Sequence, residues 1–194
     1  MTPPQNTHAQ HGLPQALART IGQRTTGSGD FETSIPGLTF FRREAPAPPT
    51  ICMVEPCIVL VAQGAKQIWV GGDAYPYGTT RFLITSLNLP ANSEVLEASP
   101  EAPCLGLCFR FDLRLLAELV AQGGLPLRRD KPVETGVGLG EATHAILEPF
   151  ARLVDLLDEP QAIPVLAPLV QREIHYRLLT SDQAARLRQL ASVD

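Results

Sequence analysis

From Phe31 to Phe111 the chain alternates apolar and polar positions in short runs broken by glycine, proline and asparagine. Strict alternation over a few residues predicts half-buried strands, and recurring turn residues between them predict an antiparallel sheet. The predicted strands are Gly37–Arg43, Ile51–Gln63, Gln67–Val70, Tyr75–Tyr77, Arg81–Ser86, Glu94–Ala98 and Cys104–Phe111. Between them lie a proline-rich loop (Ala45–Thr50), a break at Glu55-Pro56, a turn at Gly64, a hairpin turn at Gly71-Gly72-Asp73, a turn at Gly78 and a loop at Leu89–Asn92. So many short strands in sequence predict a small β-barrel or sandwich.

After Phe111 the period becomes helical. Asp112 is a suitable N-cap for a helix over Leu113–Gln122, and Gly123-Gly124 a suitable stop. A glycine-spaced linker is expected from there to Gly140. Ile146, Phe150, Leu153 and Leu157 form one apolar stripe, with Pro149 expected to kink or divide its helix. Leu166, Val170, Ile174 and Leu178 form a second stripe, and Thr180 to Gln183 suits a capping box for a last helix ending at Leu190. Before the strands, Leu13, Leu17 and Ile21 recur at helical spacing within a polar segment, either a free arm or a short docked helix.

Composition narrows the function classes. The 194 residues are 44% hydrophobic and 19% charged, enough for a buried core. The net charge of -4 argues against these residues gripping phosphate backbones directly. The four cysteines include no CxxC pair and do not form a disulfide framework. No signal-peptide pattern opens the chain, and the longest aliphatic run, Ile58–Ala62, is too short to span a bilayer. The reading is a cytoplasmic protein with reduced thiols. No histidine lies between His11 and His144. Metal-dependent barrel enzymes use histidine clusters, so the strands predict no metal, no cofactor and no catalysis. A metal-dependent cupin-type enzyme is the alternative reading, and it requires ligands these strands do not supply.

Particular strings then carry a resemblance. They are Leu60-Val61-Ala62-Gln63-Gly64 followed by Lys66; Thr85-Ser86 running into Leu89-Pro90, then Glu97-Ala98-Ser99-Pro100 and Pro103; and Leu166-Ala167-Pro168-Leu169-Val170 leading to Arg172-Glu173-Ile174 and Tyr176-Arg177-Leu178-Leu179. In this order, over roughly Gly37 to Leu190, they resemble the N-terminal region of AraC-type transcription regulators. The resemblance implies a cupin-like effector-sensing barrel followed by helices that form a dimer. It further implies a C-terminal DNA-binding region with two helix-turn-helix units, which does not fit before Asp194. A fragment of a longer regulator, touching DNA only through that missing region, is therefore expected ahead of a natural stand-alone sensor half.

The candidate ligand residues come from the strand pattern. In Cys104–Phe111, Leu105, Leu107, Phe109 and Phe111 share one face, and Cys104, Gly106, Cys108 and Arg110 the other. The second face, small and with one guanidinium, is expected to line a cavity, with Arg110 as a handle for a carboxylate or other polar group. Trp69, Tyr75 and Tyr77 flank the glycine turn and are expected to meet at one end as an aromatic wall. Glu97 and Glu55 are candidate acceptors for ligand hydroxyls, Glu55 alternatively sitting at a bulge. One of Arg42 and Arg43 points inward, Arg42 being carried as the candidate. Cys104 and Cys108 stand roughly 13–14 Å apart along one strand and cannot bridge each other. A redox pairing through Cys57 stays open. His175, beside Tyr176 and Glu173, is a candidate for a helix–helix interface.

The expected architecture is α+β, mostly β. Residues 1–30 form a flexible arm, 31–136 a cupin-like antiparallel β-barrel with one following helix, and 137–194 a helical dimerisation segment. The expected partners are a small-molecule effector and a second copy of the chain. The interface is assigned to Leu166, Val170, Ile174 and Leu178.

Overall fold

A computed structural model describes residues 12–123, 125 and 136–192. It is a curled antiparallel sheet with helices packed on one face. Helix α1 (Gly12–Arg24) comes first, then strands β1 (Gly29–Glu32), β2 (Leu38–Arg43), β3 (Ala47–Val54), β4 (Cys57–Gln63), β5 (Ala65–Val70), β6 (Asp73–Gly78), β7 (Arg81–Thr85), β8 (Leu89–Glu97) and β9 (Cys104–Arg110). Helix α2 (Leu113–Ala121), strand β10 (Val137–Glu141) and helices α3 (His144–Asp155), α4 (Ile163–Leu179) and α5 (Ala184–Ala191) complete it.

The strand order is β1-β2-β9-β4-β7-β6-β5-β8-β3, with β10 added on β7. Strand β7 pairs with β4 and with β10 along its length but meets β6 only at Gly78–Arg81. That corner folds β6-β5-β8-β3 over the inner face of β1-β2-β9-β4-β7-β10. The β5–β6 hairpin closes through Gly71 and Gly72, both at positive φ, between the paired Val70 and Asp73. A two-residue turn of that kind needs residues without a Cβ penalty in the left-handed region.

Strand β9 divides the molecule. Leu105, Leu107 and Phe109 belong to a large core shared with every helix, including Leu17 and Ile21 of α1, Leu116 of α2, Phe150 of α3, Ile174 and Leu178 of α4 and Leu187 of α5. Cys104 on the opposite face joins a smaller core inside the curl, with Phe41, Val61, Ile68, Tyr77, Leu83, Ala91, Val95 and Val137. Burying a Leu or Phe side chain contributes about 1.5–3 kcal/mol, so both faces hold the strand in register.

His175 fastens α4 to the sheet. Its Nε2 accepts from the Asp112 backbone N–H at 3.0 Å, and its Nδ1, 2.7 Å from the Gln171 carbonyl, donates to it. The ring stands edge-on between Phe109 and Phe111. Burial holds this imidazole below its usual pKa, in the neutral form that the two hydrogen bonds require. Asp112 itself caps α2 through its carboxylate.

Several elements depart from the sequence pattern. The proline-rich loop is largely strand β3, an outermost strand of the path, where prolines cost the fewest ladder bonds. Leu89–Asn92, expected as a loop, belongs to the continuous strand β8. Of the expected linker, residues 124 and 126–135 lie outside the described residues, and Val137–Glu141 is strand β10. Pro149 sits inside the unbroken helix α3. The capping box does not form: Thr180 ends α4, its hydroxyl donating to carbonyls of that helix, and the Ser181 hydroxyl accepts from Gln183 N–H instead. The Leu13–Leu17–Ile21 stripe takes the docked form, against β4, β9 and α3, while residues 1–11 lie outside the described residues.

The close approach of β2 and β4 to β9 depends on Gly106. A Cβ there would stand 2.2 Å from the Leu60 carbonyl oxygen and 2.4 Å from the Phe41 ring. Gly106→Ala is expected to destabilise the fold by about 3 kcal/mol, read as a lower urea midpoint at unchanged slope.

Candidate functional site

The concave side of the sheet gathers the chemistry. Period-two alternation sends Lys66, Ile68 and Val70 of β5 inward and Gln67 and Trp69 outward, with Lys66 opposite Tyr77 on one neighbour and Val95 on the other. Strand β2 contributes Phe41 and Arg43, opposite Gly106 and Cys104. All four cysteines of the chain project from β3, β4 and β9 onto this same face.

Lys66 is the centre of the arrangement. It is 8% exposed, and its ammonium lies 4.5 Å from the centroid of the Phe41 ring. Among the described residues no carboxylate forms an ion pair with it. Burial pushes its pKa down, and the neighbouring Arg43 guanidinium adds to that shift. A cation–π contact recovers about 0.5–2 kcal/mol, well below what desolvating an ammonium costs. Arg43 is itself engaged. It donates to the Gly29 carbonyl at 2.6 Å and pairs with Asp30 at 2.7 Å. Tyr77 is buried beside Lys66, and burial keeps its phenol protonated by raising its pKa.

The face is not filled to closure. Val59, Val70, Tyr75, Ser93 and Cys108, all turned inward by their pairings, are only half-buried. At one end the Arg110–Glu55 ion pair, 3.6 Å apart, stands in solvent. Beneath it, the Thr85 hydroxyl, wholly buried, donates to the Glu55 carbonyl and accepts from the Cys57 N–H at 3.2 Å. Among the described residues no group of three or more His, Cys, Asp or Glu is placed to hold a metal ion.

Of the residues singled out from the sequence, Tyr75 and Tyr77 face the curl, as do Cys104, Gly106 and Cys108 of β9, while Trp69, Arg110, Glu97 and Arg42 do not lie within it. Trp69 is on the outer surface of β5, its indole N–H donating to Glu94 at 2.9 Å. It borders a shallow depression with Ile51 and Pro90, so it cannot meet Tyr77 through the sheet. Arg110 continues the inward row of β9 but has already reached the rim, its side chain 62% exposed. Glu97 is exposed opposite Ala65, across a register shift of the β5–β8 pair. Arg42 belongs to the helix-side face opposite Leu105 and is held by Glu44 at 2.8 Å, which leaves Arg43 as the inward arginine. Lys66 was missed as a site residue, and of the Arg42–Arg43 pair the outward member was the one carried as the candidate. Counting alternate positions back from Gly71 places Lys66 with Ile68 and opposite to Trp69, but the aromatic drew attention to the wrong face.

The assigned interface stripe is also corrected. Val170, Ile174 and Leu178 are buried in the helix-side core, and only Leu166 is exposed. The free apolar surface of α4 is its other side, Val165, Leu166, Leu169 and Tyr176, with Leu113 of α2 also exposed. Between α2 and α4 runs a groove lined by Leu115, Pro168 and Leu169, bridged by Arg172 to Glu118 at 3.1 Å.

The family model described as AraC-type transcriptional regulator N-terminus matches residues 34–186. The chain belongs to this family. None of the curated proteins matches it by sequence. Among solved structures, this AraC-type region is similar to an apo variant of ToxT from Vibrio cholerae, at 10% identity and TM-score 0.49, covering 73% of this chain and 55% of that one. It is similar also to unsaturated fatty acid bound ToxT from Vibrio cholerae (8%, TM-score 0.47, covering 69% and 51%) and to the AraC-like transcriptional activator CuxR (13%, TM-score 0.42, covering 81% and 53%). The chain thus spans about half the length of these structures. No described helix is long and apolar enough to cross a membrane.

An uncompensated ammonium destabilises the resting protein. Lys66→Met is expected to raise stability at pH 7 by about 1–2 kcal/mol in urea denaturation. The folded pKa lies below the unfolded value of about 10.4. In that window the unfolded chain binds the extra proton, so wild-type stability rises with pH. The gap between variant and wild type should therefore narrow as pH climbs toward 10.

Proposed function

We propose that this chain is the effector-binding and self-association region of an AraC-type transcription regulator, and that its effector is a small, largely apolar molecule with an acidic group. Lys66 carries this reading. Apart from Tyr75, Tyr77, Ser93, Arg43 and the thiols, the face around it is made of Val, Ile, Leu, Ala and Phe side chains. A carboxylate entering there supplies the missing counter-charge, and the apolar remainder of the ligand lies against the concave wall. Tyr77 adds a hydroxyl beside the ammonium. Binding then takes up a proton wherever the resting lysine is neutral, because the anion restores the charged form. The ligand exchanges its hydration for a fixed cation in a dry site, and that gives it differential affinity for one arrangement of sheet and helices.

Self-association fits the exposed side of α4. Val165, Leu166, Leu169 and Tyr176 form an apolar stripe beside Arg172, Glu173 and Arg177, the composition of a symmetric helix interface. In the whole regulator, a cytoplasmic protein on this reading, two copies joined here would hold two helix-turn-helix regions at one spacing, and the effector would act on transcription by changing how they are presented.

Calorimetry with a series of small aromatic and aliphatic carboxylic acids, each beside its neutral amide, tests the effector class. The acids should bind at least tenfold tighter than the amides, with buffer-dependent heats that report proton uptake. Lys66→Met should abolish the preference. Acids and amides binding alike would remove the reading. For the interface, sedimentation at micromolar concentration should show a dimer that Leu169→Glu converts to monomer with an unchanged melting profile. A wild-type monomer would overturn the assignment.

A further inference from the structure

The concave face holds four thiols that effector binding does not use. Cys104 and Cys108 share a strand and project in the same direction four residues apart, beyond reach of each other. Cys52 stands on β3, which is not paired with β4 or β9. Cys57 and Cys108 are different. Strands β4 and β9 are paired neighbours, with Cys57 opposite Arg110 and Val59 opposite Cys108, so the two thiols are diagonal neighbours on one face. Their thiols lie close enough to perturb each other's ionisation. Cys57 is buried, with the Thr85 hydroxyl 3.4 Å from its sulfur, and Cys108 borders the half-open interior.

The two thiols ionise as a coupled pair. The neighbouring Cys108 pushes the Cys57 thiol down while burial opposes it. The same interaction pushes Cys108 up, with burial adding to it. One proton therefore leaves the pair more readily than the second, which suits a stepwise oxidation.

We infer that Cys57 and Cys108 form a reversible oxidation site that a hydroperoxide converts to an intramolecular disulfide. The Cys57 thiolate attacks the distal peroxide oxygen. The O–O bond breaks, the alkoxide or hydroxide leaves and is protonated, and Cys57 becomes a sulfenic acid. The Cys108 sulfur then attacks the Cys57 sulfur. The S–O bond breaks, and the departing hydroxide takes the Cys108 proton and leaves as water. In sum, two thiols and one hydroperoxide give one disulfide, one alcohol (water from hydrogen peroxide) and one water, two electrons passing from sulfur to oxygen.

The geometry also sets the reversibility. Diagonal neighbours on a ladder have Cα atoms about 7–8 Å apart, whereas a disulfide spans at most about 7 Å. Closing the bond draws the start of β4 toward the end of β9, and a bridge held against that displacement is easily reduced. The end of β9 leads directly to Asp112, the cap of α2 and the partner of His175. Oxidation therefore acts on the junction that ties the sheet to the helices. This site is independent of Lys66 and of any acid bound there.

Treating the purified chain with stoichiometric hydrogen peroxide, then counting thiols after unfolding, tests the inference. The count should fall from four to two, with a mass loss of two hydrogens, and both changes should reverse with reduced glutathione. Peptide mapping of the wild type should join the Cys57 peptide to the Cys108 peptide, so the result does not rest on variants that misfold. Cys57→Ser and Cys108→Ser should each abolish the bridge, and Cys52→Ser and Cys104→Ser should leave it. An unchanged count of four, a bridge mapped to Cys52 or Cys104, or sulfinic acid without a bridge would each overturn it.

Discussion

Strand β9 must satisfy two cores at once, and the rest of the structure follows from that demand. Its odd positions, Leu105, Leu107 and Phe109, close the helix-side core. Its even positions, Cys104, Gly106 and Cys108, face the curl. A side chain at Gly106 would collide with Phe41 and with the backbone of β4. Small residues on one side therefore let the sheet bend tightly, while large ones on the other anchor five helices. A one-residue slip would exchange the two sets and destroy both cores, so the register of the central strands is strongly determined.

Within that frame the curl is a place where polar groups are held at a cost. Lys66 sits beside Tyr77 among largely apolar side chains, with the face of Phe41 against its ammonium and no carboxylate ion-paired to it among the described residues, while Arg43 is neutralised by Asp30 and the Gly29 carbonyl. A fold selected only for stability gains by replacing such a lysine with an apolar residue. Retained in the resting structure, the charge makes sense as half of an interaction that a ligand completes. The thiol pair at the Thr85 end gives the same surface a second chemistry, close to the strand end that Asp112 and His175 couple to α2 and α4.

The architecture was largely legible in the chain. Alternation and turn glycines located most strands, and the helical stripes located the helices. The strings around Leu60–Lys66 and Leu166–Leu179 pointed to the family that residues 34–186 match. The site was less legible. Trp69 looked like a ligand wall because of its type, but its position in the alternation puts it outside, hydrogen-bonded to Glu94. Arg110 lies on the expected face yet one step too far along, where the curl opens to solvent and Glu55 receives it. On α4, Val170, Ile174 and Leu178 formed the stronger stripe and so went to the protein's own core, leaving the weaker stripe at the surface.

Sequence by itself determined which residues share a face, because strand and helix periods are properties of the backbone and hold wherever the element is placed. It also determined where the chain turns, because Gly71 and Gly72 adopt a conformation that other residues resist. Which face became the interior, and how far along each strand that interior extends, was decided only by tertiary structure. Those outcomes depend on the β6–β7 corner and on helices that come after the strands in sequence. Whether Lys66 finds a counter-ion, and whether Cys57 finds Cys108, depends on distances between strands that no local pattern encodes.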